Sequence, residues 1–537
     1  MAPRRRARLV AAAAAAIALG AAIQPVATGT AAGVTQAPPG SVSFTVYTPP
    51  VGTAGRETAD EPSIGANWTT GAIMYQSDLV TLKVGFNDAT IPATPTWTNV
   101  SGALTSATSL DPILFTDHIT GRTIVSQLIV ACSLSEYTDT DGTPPATAWT
   151  PNQGCPPNGA EDHQTVGGGP FHAPIPGPPA PVYPDAVYYC SQDFANSTAA
   201  FCSPSFDGGL TYTAGIPVYN FTQCGGLHGH IRVAPDGTAI LPNQTCAPTD
   251  NPLATGPFPN QAAVVSTTNG APGGWSVNVI PDSTYTLRSD PSTAADAANK
   301  WYFGYESGVF GTGGTQVAGR AKIATSSTGG TTWTPSVDVG APFGIQNVTF
   351  PEVITGDSGR AAYAFLGSTT AGNPEDTAFQ GTWELYVAMT YDGGTTWTIS
   401  DLTPGDPVQR DCIFLAGTVG PGNNCPSSKR NLLDFMDITV DNHGRVLVGY
   451  ADGCTDGCDQ GLTCNSFCST GPGASIGHRV QIARMTCGKG LLAQYDGTFA
   501  CASQAVVPEV LWVPATLLIG GGVTAIAWRR GRRFLTS

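Results

Sequence analysis

Short stretches of alternating apolar and polar residues run along most of the chain, and each stretch ends at a turn rich in Gly, Pro, Asn or Asp. In residues 61–75, for example, two apolar stretches at 63–66 and 72–75 flank a polar turn at 67–71. Alternation with a period of two is typical of β-strands, and such turns join strands into hairpins. Long patterns with helical periodicity are nearly absent, so the sequence predicts an all-β protein.

This strand–turn–strand unit recurs along the chain. The first copy starts with Glu61-Pro62 and the second with Asp111-Pro112, and both have a Thr-Gly turn at the same offset. Further copies start near Asp162, His228, Asp290, Phe350 and Phe435. The starts lie 50 to 85 residues apart, which is the spacing of four-stranded propeller blades. Seven starts favour seven blades.

A second motif falls between these starts. Residues 390–397, Thr-Tyr-Asp-Gly-Gly-Thr-Thr-Trp, fit the pattern S/T-x-D-x-G-x-T-W, residues 205–212 fit it with Tyr in the last position, and residues 326–333 fit it without the Asp. An Asp side chain can close such a hairpin over its own backbone, and Gly supplies the positive φ. The motif predicts the outer hairpin of each blade. Six blades remain an alternative, because the last unit has no visible copy.

Both ends of the chain indicate export and membrane attachment. Arg4, Arg5 and Arg6 precede an apolar run and then small residues, which predicts a signal peptide over 1–32. Residues 510–528 carry no charge and are followed by a basic tail at 529–537. A span of this length predicts one transmembrane helix with the body outside the cell. Between the ends we expect a flexible linker at 33–57, a β-propeller at 58–486 and a disulfide-closed stalk at 487–509.

Net charge and cysteine content indicate which partners and which redox compartment fit the protein. The formal net charge is −15, which argues against nucleic acid as a partner. All 14 cysteines lie between the predicted signal peptide and the predicted helix, where an exported chain meets oxidising conditions. Local spacing suggests the pairs 132–155, 190–202, 224–246, 412–425 and 487–501. The remaining four, Cys454, Cys458, Cys464 and Cys468, favour two disulfides over a zinc site.

Motifs of the 390–397 type in phase with propeller blades resemble the sialidase superfamily. Residues 225–230, 431–437 and 452–454 also resemble exported actinobacterial proteins of sialidase-like type. The resemblance covers roughly residues 58–486. It implies a glycoside hydrolase, and a candidate exo-α-sialidase, in which arginines grip the substrate carboxylate. Arg288 and Arg430 precede opening strands and are the candidates for that role.

The starts of the opening strands carry the candidate chemistry. In a propeller the first strand of each blade lines the central channel, so alternate residues of the repeat should form a ring there. The predicted catalytic residues are Asp162, Asp290, Glu352 and Asp437. The predicted substrate-binding residues are Arg288, Arg430, His163, His228 and His230. No metal and no cofactor are expected.

Two functions fit these residues. The ring of carboxylates favours a cell-surface hydrolase that acts on an extracellular glycan or glycoprotein. The Phe-Arg-Ile-Pro motif typical of sialidases is absent, which favours instead a non-catalytic surface propeller that binds glycan or protein. No tyrosine can be chosen as a nucleophile, since Tyr302, Tyr305 and Tyr363 fall in second strands and are expected in the core.

Overall fold

The computed structural model describes residues 33–129, 132–157, 162–174, 181–193, 198–221, 223–227, 229–246, 261–270, 273–284, 289–311, 316–415, 424–455 and 477–501. Within these residues no helix is both long and apolar enough to cross a membrane. The predicted signal peptide (1–32), transmembrane helix (510–528) and basic tail (529–537) lie outside the described residues.

The strands form seven sheets, which are the blades of a β-propeller. Two N-terminal strands come first in the chain: β1 (Gly33–Gln36) and β2 (Ser43–Tyr47). Blade 1 contains β3 (Ser63–Ala66), β4 (Ile73–Ser77), β5 (Val80–Asn87) and β6 (Thr94–Asn99). Blade 2 contains β7 (Pro112–Thr116), β8 (Thr123–Ile129), β9 (Cys132–Thr138) and β10 (Thr150–Pro151), with the short helix α1 (Pro145–Ala148) before β10. Blade 3 contains β11 (Asp162–Pro170), β12 (Asp185–Asp193), β13 (Thr198–Ser205) and β14 (Ile216–Tyr219).

The remaining blades follow the same order. Blade 4 contains β15 (Arg232–Val233), β16 (Ala239–Cys246), β17 (Gln261–Thr267) and β18 (Ser276–Val279). Blade 5 contains β19 (Ser292–Ala295), β20 (Trp301–Phe310), β21 (Gln316–Ser326) and β22 (Val337–Asp338). Blade 6 contains β23 (Asn347–Thr355), β24 (Ala361–Ser368), β25 (Thr382–Thr390) and β26 (Thr396–Asp401), and β27 (Gln409–Arg410) pairs with β25. Blade 7 contains β28 (Asp437–Val440), β29 (Val446–Asp452) and β30 (Arg479–Cys487). Three 3-10 turns lie at Ala341–Phe343, Ser427–Lys429 and Ala493–Tyr495.

The N-terminal segment closes the ring of blades. Strand β2 pairs antiparallel with β30 and supplies the fourth strand of blade 7, and β1 pairs parallel with β26 at the edge of blade 6. Residues 33–57 therefore contribute two strands where the sequence predicted a linker. Residues 43–47 alternate apolar and polar side chains, and Tyr47 packs edge-on against Phe86 of blade 1.

The C-terminal segment packs against the propeller, where the sequence predicted a stalk. Leu491 is fully buried and exchanges backbone hydrogen bonds with the turns at Asp357 and Gly444. The Arg360 guanidinium is paired with Asp496, and that of Arg445 lies 3.6 Å from the centre of the Phe499 ring. Residues 487–501 thus cover the turns between the first and second strands of blades 6 and 7. The rest of the predicted stalk, 502–509, lies outside the described residues.

All five cysteine pairs suggested by local spacing are confirmed as disulfides: 132–155, 190–202, 224–246, 412–425 and 487–501. Cys454 is also disulfide-bonded. The cysteines at 458, 464 and 468 lie outside the described residues.

The hairpin turns predicted between third and fourth strands share one hydrogen-bond pattern. In blade 3 the Asp207 carboxylate accepts bonds from both the backbone N–H and the hydroxyl of Thr211, at 2.9 and 2.6 Å. In blade 6 Asp392 does the same with Thr396, at the same two distances. In blade 5 the Thr328 hydroxyl accepts the corresponding N–H at 2.9 Å, so it replaces the missing carboxylate. These side chains stabilise the scaffold.

The innermost strands of the seven blades contact one another in a closed ring, in the order β3, β7, β11, β15, β19, β23 and β28. They surround a central channel that contains a cavity of about 180 Å³. Neighbouring blades pack closely. A Cβ on Gly65 of blade 1 would lie only 2.3 Å from the Thr116 hydroxyl of blade 2, so glycine is needed at this position. The innermost strands all run in one direction, so their starting residues meet at one end of the channel. We call this end the funnel.

Candidate functional site in the funnel

Five side chains form an inner cluster in the funnel: His230, Arg232, Ser292, Glu352 and Asp437. The Ser292 hydroxyl donates to Glu352 Oε2 at 2.9 Å. Arg232 Nη2 donates to Asp437 Oδ1 at 3.1 Å and lies 3.9 Å from Glu352 Oε2. His230 Nδ1 lies 3.8 Å from Glu352 Oε1. Blades 4, 5, 6 and 7 thus bring two carboxyl groups, an imidazole and a guanidinium together.

Asp437 is held firmly at the start of β28. Its Oδ2 accepts the Ile64 N–H of blade 1 at 2.9 Å, and its Oδ1 accepts the Ile438 N–H at 2.8 Å. The residue is 3% exposed, and Arg232 supplies the opposite charge. Hydrogen bonds from these N–H groups and the guanidinium fix the orientation of the Asp437 carboxyl group. Asp437 also ties the last blade to the first.

The surroundings shift the pKa values of Glu352 and His230 in opposite directions. Burial and the nearby Asp437 charge raise the pKa of Glu352 well above its usual range, although Arg232 opposes the shift. Burial lowers the pKa of His230 to about 4. Glu352 therefore binds a proton more tightly than an exposed glutamate does, whereas the His230 imidazole is neutral at neutral pH. Two neighbouring carboxyl groups with different surroundings are typical of acid–base catalysis.

A second group, the mouth cluster, consists of Glu61, Asp111, Asp162, His163, Asp290, Arg430 and Asp434. His163 Nε2 lies 2.9 Å from Asp290 Oδ2, and that oxygen also accepts the Gly229 N–H at 2.9 Å. Burial alone would lower the pKa of His163, but the charge and hydrogen bond of Asp290 outweigh it and hold that pKa well above its usual range. His163 and Asp290 therefore form an ion pair at the mouth.

Arg430 and Glu61 complete the mouth cluster. Both terminal nitrogens of Arg430 donate to Asp434, each at 2.7 Å. Glu61 is 2% exposed, and burial together with the Asp434 charge raises its pKa well above the usual range. Asp434 thus accepts two hydrogen bonds from Arg430, and its charge raises the pKa of the buried Glu61 carboxyl group.

Backbone irregularities decide which side chains enter the funnel. Glu61, His163 and Phe350 have φ angles of 49°, 53° and 54°. The register of β11 against β12 shifts between Asp162 and Thr165, and β23 has a similar shift before Glu352. A residue with positive φ at a bulge re-aims the side chains beside it. Consecutive residues such as Asp162 and His163 can therefore both face the mouth.

The structure brings most of the predicted site residues together. Glu352, Asp437 and His230 belong to the inner cluster, and Asp162, His163, Asp290 and Arg430 belong to the mouth cluster. His228 and Arg288 lie outside the described residues. Sequence reasoning missed Arg232 and Asp434. Arg232 follows the His-Gly-His segment at the period of two, which is the signal that would have revealed it.

Two groups of side chains have the spacing of metal ligands. In the first, ligand atoms of His230, Glu352 and Asp437 lie within 4.8 Å of one another. Arg232 lies among these groups and already supplies a positive charge, so this set does not fit a cation well. The second group consists of Asp111, Asp162 and His163, also within 4.8 Å. It lies at the mouth, where Asp162 is exposed.

Fold and funnel together define a seven-bladed β-propeller protein with a carboxyl-lined funnel. No protein-family model and no curated protein sequence matches the chain. Among similar solved structures is an ulvan lyase of polysaccharide lyase family 25, with TM-score 0.40 and 9% identity over 74% of this chain and 92% of that chain. An α-L-arabinanase of Penicillium chrysogenum has TM-score 0.38 and 11% identity over 83% and 97%. A Hadza microbial sialidase has TM-score 0.31 and 12% identity over 80% and 66%. At these values the likeness concerns the fold and carries no conclusion on activity.

Proposed function

We propose that the protein is a cell-surface glycoside hydrolase that acts on extracellular glycans at the funnel. The observation that carries the proposal is the inner pair of carboxyl groups, Glu352 and Asp437, whose nearest ligand-type atoms lie within 4.8 Å of each other. Most glycoside hydrolases use two such groups, one as acid and one as base or nucleophile. The raised pKa of Glu352 fits the acid.

The environments of the two groups suggest their roles. Glu352 would protonate the glycosidic oxygen, because its raised pKa makes it bind a proton more tightly than an ordinary glutamate does. Asp437, fixed by two backbone N–H groups and Arg232, would face the developing positive charge on the sugar. Their short separation suits the retaining spacing of about 5 Å better than the inverting spacing of roughly 6.5–9.5 Å. We therefore expect retention of anomeric configuration.

The mouth cluster supports a neutral sugar as the substrate. Carboxylates accept hydrogen bonds from sugar hydroxyls, and Asp162 is exposed at the mouth. Arg430 is bound in bidentate fashion by Asp434, and Arg232 is paired with Asp437. A sialic acid carboxylate would have to displace one of these partners and enter a funnel rich in acids. Exo-α-sialidase activity, which the sequence resemblance implies, is the competing specificity.

A non-catalytic glycan-binding propeller is the second candidate. It is favoured by the burial of the inner pair, since only 6% of the Glu352 side chain and 4% of the Asp437 side chain are exposed. In that case the inner cluster would join blades, and the mouth cluster alone would contact the glycan.

Placement at the cell surface is part of the proposal. Five disulfides among the described residues support an oxidising compartment. The apolar segment at 510–528 supports attachment to a membrane. Accessibility of the propeller to protease added to intact cells would test both points.

The experiment is release of reducing sugar from a panel of neutral and sialylated oligosaccharides. Glu352→Gln and Asp437→Asn should each lower kcat by at least roughly 100-fold, with far-ultraviolet circular dichroism unchanged. Glu57→Gln, whose side chain is 48% exposed and pairs with arginines outside the two clusters, is the matched control. Wild-type rates in both funnel variants would refute the site. Glycan binding without any turnover would establish the second candidate.

A further inference from the structure

A cavity of about 450 Å³ lies at the end of the propeller opposite the funnel. It is lined by the turn after β3, at residues 70–72, and by the turn after β28, at residues 441–443, so it lies between blades 1 and 7. Its volume is in the range of ligand-binding cavities in proteins, about 300–1,000 Å³. None of its lining residues belongs to the inner cluster or the mouth cluster. The proposed activity of the funnel therefore does not account for this cavity.

Two buried guanidinium groups hold one wall of the cavity in place. Arg484 donates to the Asp88 carboxylate at 2.7 and 3.1 Å and to Asp441 at 3.1 Å. Arg445 donates to Asp88 Oδ2 at 2.6 Å, and the side chains of both arginines are only 4% exposed. The Arg484 guanidinium also lies over the Phe86 ring, 4.4 Å from its centre. This network fixes the wall before any ligand binds, which lowers the entropic cost of binding.

Lys83 and Asp141 are the charged lining residues outside this network. In the part of the chain that the structure describes, neither has an ion-pair partner within 4.0 Å. Lys83 Nζ donates to the Thr143 hydroxyl at 2.6 Å, and Asp141 Oδ1 accepts the Asn67 amide at 2.7 Å. An ammonium group has three N–H donors and a carboxylate has about four acceptor positions. Both side chains can therefore form further hydrogen bonds with a ligand in the cavity.

The charges around the cavity disfavour an ionic ligand. Three carboxylates line it, those of Asp88, Asp141 and Asp441, together with the cationic side chains of Lys83 and Arg484. Either an anion or a cation would be repelled by part of this lining. A sugar hydroxyl both donates and accepts hydrogen bonds, and a neutral sugar carries several such groups. The mixed lining therefore suits a neutral carbohydrate.

We infer that this cavity is a second binding site for a neutral glycan chain, at which no bond is cleaved. The inference rests on the proposed function, because its ligand is of the class that the funnel would hydrolyse. A site at the opposite end of the propeller would hold the protein on a polymeric glycan while the funnel acts on another part of it. Two linked binding events of this kind raise the overall affinity for a polymer above that of either site.

Gly85 allows the cavity to be blocked without any change in the funnel. This exposed residue lines the cavity, and a Cβ added to it would have no atom within 4 Å. Gly85→Tyr should therefore place a ring in the cavity with little strain, and tyrosine is favourable in strands. Lys83→Met removes the ammonium group and keeps the apolar stem. The matched controls are Gly33→Tyr, where a Cβ would have no atom closer than 3.9 Å, and Lys322→Met, a half-buried lysine on the third strand of blade 5.

Calorimetric titration of the purified full chain with cellohexaose, xylohexaose and mannohexaose tests the inference. All variants carry Glu352→Gln, so that binding is measured without turnover. We expect a neutral hexasaccharide to bind at a site that Gly85→Tyr abolishes. Lys83→Met should weaken binding at that site about tenfold, because a hydrogen bond to a charged group is lost. Both controls should bind as the parent does, and hexagalacturonate should not bind at this site.

Three outcomes would overturn the inference. The first is no binding of any neutral hexasaccharide, and the second is binding that is unchanged in both Gly85→Tyr and Lys83→Met. The third is hexagalacturonate binding that Gly85→Tyr abolishes, because the ligand would then be anionic. Failure of the proposed hydrolase would look different, since the Gly85-dependent site would still bind glycan while the chain without Glu352→Gln released no sugar.

Discussion

The ion pair between Arg232 and Asp437 allows the inner cluster to be tested without any substrate. Arg232→Met keeps the length and apolar stem of the side chain but removes its charge. Asp437 is 3% exposed and would lose the cation 3.1 Å away. It would keep its hydrogen bonds from the N–H groups of Ile64 and Ile438. The variant therefore leaves a buried carboxylate only partly compensated.

The geometry sets the size of the effect. Two unit charges 3.1 Å apart attract by roughly 5 kcal/mol at an effective dielectric constant of about 20. Removal of one partner from a buried pair costs about 3–5 kcal/mol. The two remaining N–H bonds, and the 24% exposure of the Arg232 side chain, place the expected loss near about 3 kcal/mol. Asp437→Asn should cost less, about 1–2 kcal/mol, because Arg232 can then pair with Glu352.

A double-mutant cycle measured by urea unfolding at pH 7 checks this reasoning. The double variant, Arg232→Met with Asp437→Asn, should lose about 2 kcal/mol less than the sum of the single variants. The control is the same cycle at Arg122 and Asp139, where Asp139 is 52% exposed and we expect a coupling below about 1 kcal/mol. A funnel coupling below about 0.5 kcal/mol would refute the view that this guanidinium neutralises the buried carboxylate.

Three further predictions concern pH and the scaffold. Burial and the neighbouring Asp401 raise the pKa of Glu384 to about 7 from an ordinary 4.5. The folded state therefore binds this proton more tightly than the unfolded state does, and stability falls as pH rises from 4.5 to about 7. Glu384→Gln should raise Tm relative to wild type at pH 8 but not at pH 4. Replacement of both Cys190 and Cys202 by Ser opens a loop with a sequence separation of 12 and should cost about 3 kcal/mol in urea unfolding; a loss under about 1 kcal/mol would contradict it. If Glu352 is the catalytic acid, wild-type kcat/KM should decline on the alkaline side, whereas the residual activity of Glu352→Gln should lack that limb; an alkaline limb unchanged in the variant would assign it to another group.

The sequence predicted the blades well because their signals are local. Alternation, turn residues and the repeat interval can each be read from a short stretch of sequence. The same holds for the spacing of the five cysteine pairs. The N-terminal strand β2 also alternates, but no local signal assigns it to a blade, because its partner β30 lies more than 430 residues away in the chain. Residues 487–501 were missed as part of the propeller for the same reason, since Leu491 is buried against turns from two other parts of the chain.

The funnel was predicted in part, and its omissions have a physical cause. Period-two alternation places residues one and three of each repeat on one side, which identified Glu352, Asp437 and His230. This pattern takes no account of bulges. The bulge after Asp162 lets both Asp162 and His163 reach the mouth, although they are neighbours in sequence. Arg232 continues the period of two from His228 and His230, but it is the fifth residue of its repeat and lies beyond positions one and three. Asp434 precedes β28, and its role depends on Arg430 four residues earlier.

The two clusters of the funnel differ in how their acids are compensated, and this difference separates their proposed roles. In the inner cluster Asp437 has a guanidinium and two N–H donors, and Glu352 has the Ser292 hydroxyl and a raised pKa. The chain itself therefore satisfies these groups, as a preorganised catalytic pair requires. At the mouth, the buried Oε2 of Glu61 has no donor among the described residues. Burial and the Asp434 charge raise the pKa of this carboxyl group well above its usual range, so the mouth cluster should respond to pH through Glu61. Glu61→Gln should accordingly change the pH dependence of glycan affinity more than that of kcat, and an equal effect on both would show that the clusters act as one site.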